Sequence, residues 1–285
     1  MKTYLDCIPC FVSQSLEAAR MVTTDERIHL KVVREVMSYL QTITLEVSPP
    51  ETSREVHQII RNLVKSKDPY RRVKNRANKL AKEFFPCLKK LVEKANDPLL
   101  MAVKLAIVGN VIDFGTMNRF NVEEMIDNVV DEDIEQGSYR KFVEDIEKAE
   151  SILYIGDNTG EIFFDRILLE ELKNKQITYV VRANPIINDV TLEDAKLSGV
   201  DRIANVIAGD EGNNRSAPGM ILKYASKRFL EHFNSADVVV AKGQGNYEAL
   251  SDVDRQIFFL LMIKCPLVAR DIGVDVGKLV LKARK

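Results

Sequence analysis

Three short polar segments combine residue types that bind metal ions and phosphate groups. Asp157 and Asn158 offer adjacent hard oxygen atoms, and Asp189 provides a second carboxylate further along the chain. Two carboxylates and an amide oxygen suit Mg²⁺ or Mn²⁺ better than Zn²⁺, and they leave coordination positions for water and a phosphate oxygen. These residues therefore predict a divalent-metal site. The segments are residues 156–161 (GDNTGE), 188–191 (NDVT) and 242–246 (KGQGN).

The first segment also has a simpler interpretation as the start of a helix. Asn158 with Glu161 three residues later matches a capping box, in which side chains bond to the unpaired N–H groups of the first turn. This interpretation leaves Asp157 unexplained, because a carboxylate at a partly buried strand end is costly without a positive charge beside it. The helix N-terminus supplies part of that field, and we expect a cation to supply the rest.

The third segment has the composition of an anion-binding loop. Gly243 and Gly245 allow backbone N–H groups to approach an anion, and the Lys242 ammonium acts as a point charge on phosphate. The segment is not a Walker loop, because GxxxxGK[ST] is absent, and a GxG pair alone is weak support for dinucleotide binding. A glycine-rich turn with a solvated lysine is the alternative interpretation.

Two regions with different hydrophobic periods must position these segments. Residues 11–150 show helical spacing almost throughout. After residue 150, short β-branched runs alternate with helical stretches, which is typical of βαβ units and a parallel sheet. The fold prediction is α/β, with an N-terminal all-helical region and a Rossmann-like, doubly wound, mainly parallel sheet domain. The predicted domains are residues 1–145 and 146–285, and the predicted strands are residues 152–155, 177–181, 203–207, 238–240 and 258–263.

The predicted sheet explains how the polar segments come together. They follow the first, second and fourth predicted strands. Ligands of open parallel sheets bind outside the carboxyl ends of the strands. All three segments are therefore expected at one edge of the second domain, which carries the metal and phosphate site.

The overall composition limits the possible partners. With 41 Lys and Arg against 42 Asp and Glu, the formal net charge is -1, so the chain lacks the positive field that draws proteins to nucleic acid. The longest strongly apolar stretch, residues 257–263, is far shorter than the roughly 20 residues of a membrane-spanning helix. We expect a cytoplasmic globular protein whose partner is a small molecule, with no role for nucleic acid or membrane.

Four cysteines are too few for a disulfide scaffold in a chain of 285 residues. Cys7 and Cys10 form a CxxC pair, but no second pair completes a zinc site. The pair precedes a helical pattern at the N-terminus rather than lying between a strand and a helix, as it does in thioredoxin-type proteins. Structural, redox and metal-binding roles all remain open for it.

Taken together, the three segments resemble motifs of the metal-dependent damage-control phosphatases. This family was long called a domain of unknown function and includes the acidic-residue-methyltransferase-1-like proteins and a phosphatase domain attached to a pantothenate kinase homologue. The N-terminal CxxC is similar to that of the stand-alone prokaryotic branch. The resemblance spans almost the whole chain through further elements: Asp68-Pro69-Tyr70 with Lys74, residues 109–114 (GNVIDF), Arg182 and Lys264-Cys265-Pro266.

The resemblance implies hydrolysis of small phosphorylated metabolites with a divalent metal. The family's metal ligands correspond to Asp157, Asn158 and Asp189, and its phosphate-binding lysine corresponds to Lys242. The metal is expected to be Mn²⁺, Mg²⁺, Co²⁺ or Ni²⁺, and to act as a Lewis acid that lowers the pKa of a bound water. The remaining candidate residues are expected to contact the substrate or to support the site, and for Glu161 the alternatives are orienting the water and capping the helix: Gly243, Gly245, Asn246, Arg182, Glu161, Asn110 and Asp113.

Two other functions compete with the phosphatase. One is a carboxyl methyltransferase that uses S-adenosylmethionine, although the usual glycine-rich loop is missing, since Gly156 and Gly160 are separated by three other residues. The other is a non-catalytic metal- or nucleotide-binding module whose CxxC senses redox state. An aspartyl nucleophile is an alternative to water, but the DxDx[TV] spacing of haloacid-dehalogenase phosphatases is absent.

Overall fold

The N-terminal part of the chain is helical, as its apolar spacing predicts. The computed structural model describes residues 1–109, 124, 134–212 and 216–284. Val56 and Ile60 illustrate the pattern: both are buried, because residues four apart lie on one face of a helix. The described helices before the sheet are α1 (Cys7–Val22), α2 (Glu26–Leu40), α3 (Pro49–Val64), α4 (Arg71–Lys94), α5 (Pro98–Gly109) and α6 (Gln136–Lys148).

The described residues after 150 form one six-stranded sheet in the order β3-β2-β1-β4-β5-β6. Strands β1 to β5 are parallel, and β6 pairs antiparallel with β5. The strands are β1 (Ser151–Ile155), β2 (Gln176–Val181), β3 (Asn205–Ala208), β4 (Val238–Lys242), β5 (Ile257–Met262) and β6 (Leu279–Arg284).

Helices cover both faces of the sheet. Tyr154 and Val240 pack on one face with residues of α4 and α5, whereas Leu153 and Val239 pack on the other. Alternate residues of a strand point to opposite faces, so central strands buried on both sides are apolar at every position. This confirms the predicted doubly wound fold. The helices of this part are α7 (Glu161–Glu171), α8 (Leu192–Ser198), α9 (Lys227–Ser235), α10 (Gly243–Leu250) and α11 (Pro266–Ile272).

The helical region contributes to more than one apolar cluster. Val32, Val36 and Ile60 belong to a cluster formed by α1, α2 and α3. Phe84 of α4 and Ala106 of α5 instead share the cluster of one sheet face. The domain boundary near residue 145 stays a prediction. Within the described residues, no helix combines the length and apolar character needed to cross a membrane.

The strand order creates a crevice between the ends of β1 and β4. From β1 the chain adds β2 and β3 on one side, and it then returns to place β4 on the other side of β1. Loops that leave neighbouring strands in opposite directions separate at such a point, and ligands of doubly wound folds bind there. The segments after β1 and β4 flank this crevice, and the segment after β2 lies beside them.

Candidate metal and phosphate site

Backbone hydrogen bonds join the segments that follow β1 and β2. Thr159 N–H donates to the Asn188 carbonyl at 2.8 Å, and Val190 N–H donates to the Asp157 carbonyl, also at 2.8 Å. These bonds fix the register between two loops that the sequence separates by about thirty residues. As a result, the three side chains predicted as metal ligands lie on the wall of one pocket.

The amide of Asn158 is oriented by two carboxylates. Its Nδ2 donates to Asp157 Oδ2 at 2.7 Å and to Glu161 Oε2 at 3.1 Å. Because the amide group is planar, its oxygen points away from both carboxylates. That oxygen is therefore on the opposite side of the amide group from the two carboxylates, and its predicted role as a metal ligand stays a prediction.

The capping-box interpretation of this segment is wrong about where the helix begins. Helix α7 starts at Glu161, and its N-cap is Gly160, which has φ 78° and ψ -54° and makes no side-chain cap. Glu161 still accepts a hydrogen bond from Asn158 N–H at 3.2 Å. The positive φ favours glycine, because a Cβ atom is strained in that region.

Asp189 is held by a buried guanidinium. Arg182 Nε donates to Asp189 Oδ2 at 2.8 Å, and Arg182 Nη2 donates to Asn246 Oδ1 at 3.1 Å. Burial raises the pKa of Asp189 to about 6, although Arg182 acts in the opposite direction. Arg182 Nη1 is buried and has no hydrogen-bond partner in the part of the chain that the structure describes.

Asp157 lies close to other carboxyl groups. Its side chain is buried, and burial raises its pKa well above the usual range, with further increases from the charges of Glu161 and Asp189. Arg182 and Lys264 lower the pKa but do not outweigh these effects. A cation beside the carboxylate favours its ionised form.

Lys242 is placed differently from its predicted role as a phosphate ligand. It is completely buried, and Nζ donates to Asp165 Oδ1 at 2.7 Å, to the Ala106 carbonyl at 2.7 Å and to Glu161. Burial alone lowers the pKa of Lys242, but Asp165 and Glu161 outweigh it and raise the pKa. Three acceptors satisfy the three donors of an ammonium group. This placement argues against a direct phosphate contact.

The charges of the site fit a divalent cation. Among the described residues, six buried ionisable side chains lie at or beside the predicted ligands, and they comprise four carboxyl groups and two cations: Asp157, Glu161, Asp165, Asp189, Arg182 and Lys242. Lys74 is also buried and acts on Asp189, but it is paired with Asp68 at 2.8 Å, so this pair adds no net charge. When all six are ionised, the set has an excess of two negative charges, which a divalent ion with hard oxygen ligands would balance. No group of three His, Cys, Asp or Glu side chains among the described residues has metal-holding geometry. The predicted set instead combines two carboxylates with an amide.

The rest of the third segment packs against protein. Asn246 Nδ2 donates to the carbonyls of Gly156 and Lys242, and its Oδ1 accepts from Met220 N–H as well as from a guanidinium. A Cβ atom at position 245 would lie 2.0 Å from the Pro218 carbonyl oxygen, so only glycine fits there.

Gly243 opens α10 with φ 78°. The substrate contacts predicted for Gly243, Gly245 and Asn246 stay predictions. Asn110 and Asp113, the other two candidates, lie outside the described residues.

A cavity of about 720 Å³ lies in front of the predicted metal ligands. Its lining includes Lys264, an exposed residue in the segment after β5. Cys7, Cys10 and Cys265 also line it, and all three are free thiols. Burial raises the pKa of Cys7 and Cys10.

The family model for the damage-control phosphatase ARMT1-like domain matches residues 3–280. The chain belongs to this family. The predicted family is thus confirmed, and so is the phosphatase function that was predicted with it.

Similar proteins support the assignment over the whole chain. A damage-control phosphatase of Archaeoglobus fulgidus is 36% identical over 282 residues, which cover 97% of this chain and 97% of the relative. A damage-control phosphatase of Pyrococcus horikoshii is 35% identical over 295 residues, with 100% and 99% coverage. The crystal structure of a DUF89 family protein from Pyrococcus horikoshii has a TM-score of 0.90 at 33% identity, and each chain is fully covered.

For this family member, sequence reasoning gave no role to two charged residues that bear on the site, although Lys264 belonged to a motif that resembles the family. Lys264 follows β5 at the same sheet edge as the other segments, and that position was the signal that could have identified it. Asp165 lies four residues after Glu161, so both face the same side of α7. That spacing was visible, but the lysine between the two carboxylates comes from β4 and was not predicted there.

Proposed function

We propose that this chain is a divalent-metal-dependent phosphatase that hydrolyses phosphate monoesters of small metabolites. The observation that carries the proposal is the excess of buried carboxyl groups beside the amide group of Asn158, on the wall of a pocket large enough for a small organic phosphate. Asp157, Asn158 and Asp189 hold the metal. A divalent ion held by these residues would supply Lewis acidity for the phosphoryl group and for a water molecule.

Other residues orient the metal ligands or bind the phosphate group. Arg182 keeps Asp189 in a fixed orientation through the 2.8 Å hydrogen bond to its carboxylate. Glu161 and Asp157 orient the amide of Asn158. We assign phosphate binding to Lys264 rather than to Lys242, because Lys264 is exposed in the pocket and its charge already acts on Asp157. An ammonium near the transferring phosphoryl group stabilises its negative charge.

The substrate proposal follows from the same pocket. The damage-control phosphatases of Archaeoglobus fulgidus and Pyrococcus horikoshii are relatives over the full length. A cavity of about 720 Å³ is within the range of small-molecule sites and leaves room beyond a phosphate group. We therefore propose sugar phosphates or damaged phosphometabolites as the substrate class.

The proposal is tested by phosphate release from p-nitrophenyl phosphate and a sugar-phosphate panel, with Mn²⁺, Mg²⁺, Co²⁺ or Ni²⁺ added to chelator-treated protein. Wild-type protein should require the metal. Asp157→Asn should abolish turnover, because the remaining ligands hold a hard cation poorly.

Asp201→Asn is the matched control, since Asp201 is an exposed carboxylate in the short 3-10 helix before β3. It should retain full activity. Hydrolysis without metal, or hydrolysis that survives Asp157→Asn, would refute the proposal.

A further inference from the structure

Behind the pocket wall lies a chain of buried polar contacts, which we call the buried network: Glu161, Lys242, Asp165, Tyr154 and Tyr179. Every member is completely buried. Asp165 Oδ1 accepts from the Tyr154 hydroxyl at 2.8 Å and from Lys242 Nζ at 2.7 Å, and its Oδ2 accepts from the Tyr179 hydroxyl at 2.7 Å.

The tyrosines hold the far end of the network rigid. The rings of Tyr154 and Tyr179 stack with centroids 5.4 Å apart and planes 16° from parallel. They lie on the neighbouring strands β1 and β2, directly opposite each other in the sheet register. Two hydroxyl donors from the sheet core thus fix one carboxylate of α7, and that carboxylate fixes the ammonium of Lys242.

The near end of the network reaches the predicted metal site. Lys242 donates to Glu161 Oε1, and Glu161 Oε2 accepts from Asn158 N–H and Nδ2 at 3.2 and 3.1 Å. The two oxygens of one carboxylate therefore connect a buried ammonium to the amide of a predicted ligand. We therefore expect a change in the position of Lys242 to move Glu161, and with it the amide group of Asn158.

We propose that Asp165 and Lys242 are positioning residues, which set the metal affinity of the pocket by holding Glu161 against the amide of Asn158. The proposal rests on the proposed function, because it concerns the same metal site. The core holds the three charges of Glu161, Asp165 and Lys242, although well-packed apolar residues of similar volume are often as stable as a buried ion pair or more stable. A positioning role is a physical reason for these charges. Hydrogen-bond partners behind metal ligands orient those ligands and tune their affinity.

Asp165→Asn tests the proposal with little change in volume. The amide cannot supply the charge that holds Lys242 between two carboxylates, so we expect Glu161 to lose its fixed orientation. The Kd for Mn²⁺, measured by calorimetry on chelator-treated protein, should rise about 10- to 100-fold. At saturating Mn²⁺, the inhibition constant for inorganic phosphate should be unchanged, because Lys242 does not contact phosphate.

Tyr179→Phe and Tyr154→Phe provide a second test that keeps the ring stack. Each removes one hydrogen bond to Asp165, and we expect each to raise the Mn²⁺ Kd about two- to tenfold. These variants decide the question if Asp165→Asn does not fold.

The chain offers a matched control in Asp97, which accepts the Tyr139 hydroxyl at 2.9 Å at the start of α5. Asp97→Asn and Tyr139→Phe remove the same type of carboxylate–tyrosine hydrogen bond at a place outside the buried network. Both should leave the Mn²⁺ Kd unchanged.

The outcomes separate the two proposals. Wild-type protein that binds no Mn²⁺ and hydrolyses no ester would overturn the proposed function, and the positioning role with it. Wild-type binding with an unchanged Kd in folded Asp165→Asn, or in both tyrosine variants, would overturn only the positioning role. If phosphate inhibition is weaker in Asp165→Asn and the Mn²⁺ Kd is unchanged, the positioning role is overturned. That result would indicate that Lys242 binds phosphate.

Discussion

Lys242 and Lys264 lie at the carboxyl ends of the neighbouring strands β4 and β5, yet one is buried and the other is exposed. Lys242, at the end of β4, is completely buried and bonded to three oxygen acceptors. Lys264, just after β5, is exposed and lines the pocket. A lysine at the carboxyl edge of a parallel sheet is therefore not a phosphate ligand by position alone. The layer that covers its side chain decides its role.

Strand alternation explains the difference. Val238 and Val240 pack with the helices α4 and α5, and Lys242 continues the same alternation. Its side chain consequently enters the layer between the sheet and these helices, where it meets Ala106 of α5 and the acidic residues of α7. Lys264 lies two residues beyond the end of β5, and the described residues leave its side chain exposed.

The largest expected effect is the loss of stability when the buried lysine is removed. Lys242→Met leaves Glu161 and Asp165 in the core without their cation. We expect the free energy of unfolding to fall by about 3–5 kcal/mol, which is the usual result of removing one partner of a buried ion pair. Urea unfolding monitored by circular dichroism measures it. Lys264→Met should change stability by less than about 0.5 kcal/mol, and equal losses in the two variants would contradict the comparison.

The next largest effect concerns activity at the exposed lysine. Lys264→Met removes the ammonium that we assign to phosphate, and kcat/KM for the best ester should fall about 10- to 100-fold, as for the loss of a hydrogen bond to a charged group. Steady-state kinetics at saturating metal gives the value. Lys278→Met is the matched control, because Lys278 is exposed on the neighbouring segment before β6. Similar kinetics in both variants would show that Lys264 does not bind the phosphate group of the substrate.

A smaller effect is expected in the pH dependence of stability. Burial raises the pKa of Glu248, a pocket-lining residue, to about 7. Between its unfolded value of about 4.3 and that pKa, the native state binds more protons than the unfolded state, so its contribution to stability falls as pH rises.

Metal-free Glu248→Gln should consequently lose less stability than wild type between pH 5 and pH 8. Asp157 and Asp189 titrate in both proteins, so the difference between the two urea-unfolding series isolates Glu248. Parallel pH profiles would show that this carboxyl group titrates normally.

The smallest effect is protection of thiols from alkylation. Cys7, Cys10 and Cys265 line the pocket, whereas Cys87 is exposed on α4. Mn²⁺ with inorganic phosphate should slow maleimide labelling of Cys10, because occupation of the pocket limits access. Peptide mapping by mass spectrometry reports each site separately, and Cys87 should label at the same rate with or without the ligands. Uniform labelling rates would mean that the thiols are remote from the occupied pocket.

Local patterns predicted most of the fold. The apolar runs of β1, β2, β4 and β5 are strong signals because central parallel strands are buried on both faces. The third strand begins at Asn205 rather than at residue 203. Strand β6 was not predicted, because its apolar run ends at Lys282 and the strand pairs antiparallel at the sheet edge. Helix α4 continues through Pro86, although proline lacks a backbone N–H and usually interrupts a helix.

By itself, the sequence determined which donor atoms stand at the carboxyl edge. Apolar periodicity fixes where strands end, and the residues that follow can be read directly, so Asp157, Asn158 and Asp189 were found without coordinates. Only the tertiary structure decided what surrounds them. Lys242 and Ala106 are separated by 136 residues, and no local pattern records that contact. Burial and the balance of charge depend on all the layers packed around a site, and those layers exist only in the folded chain.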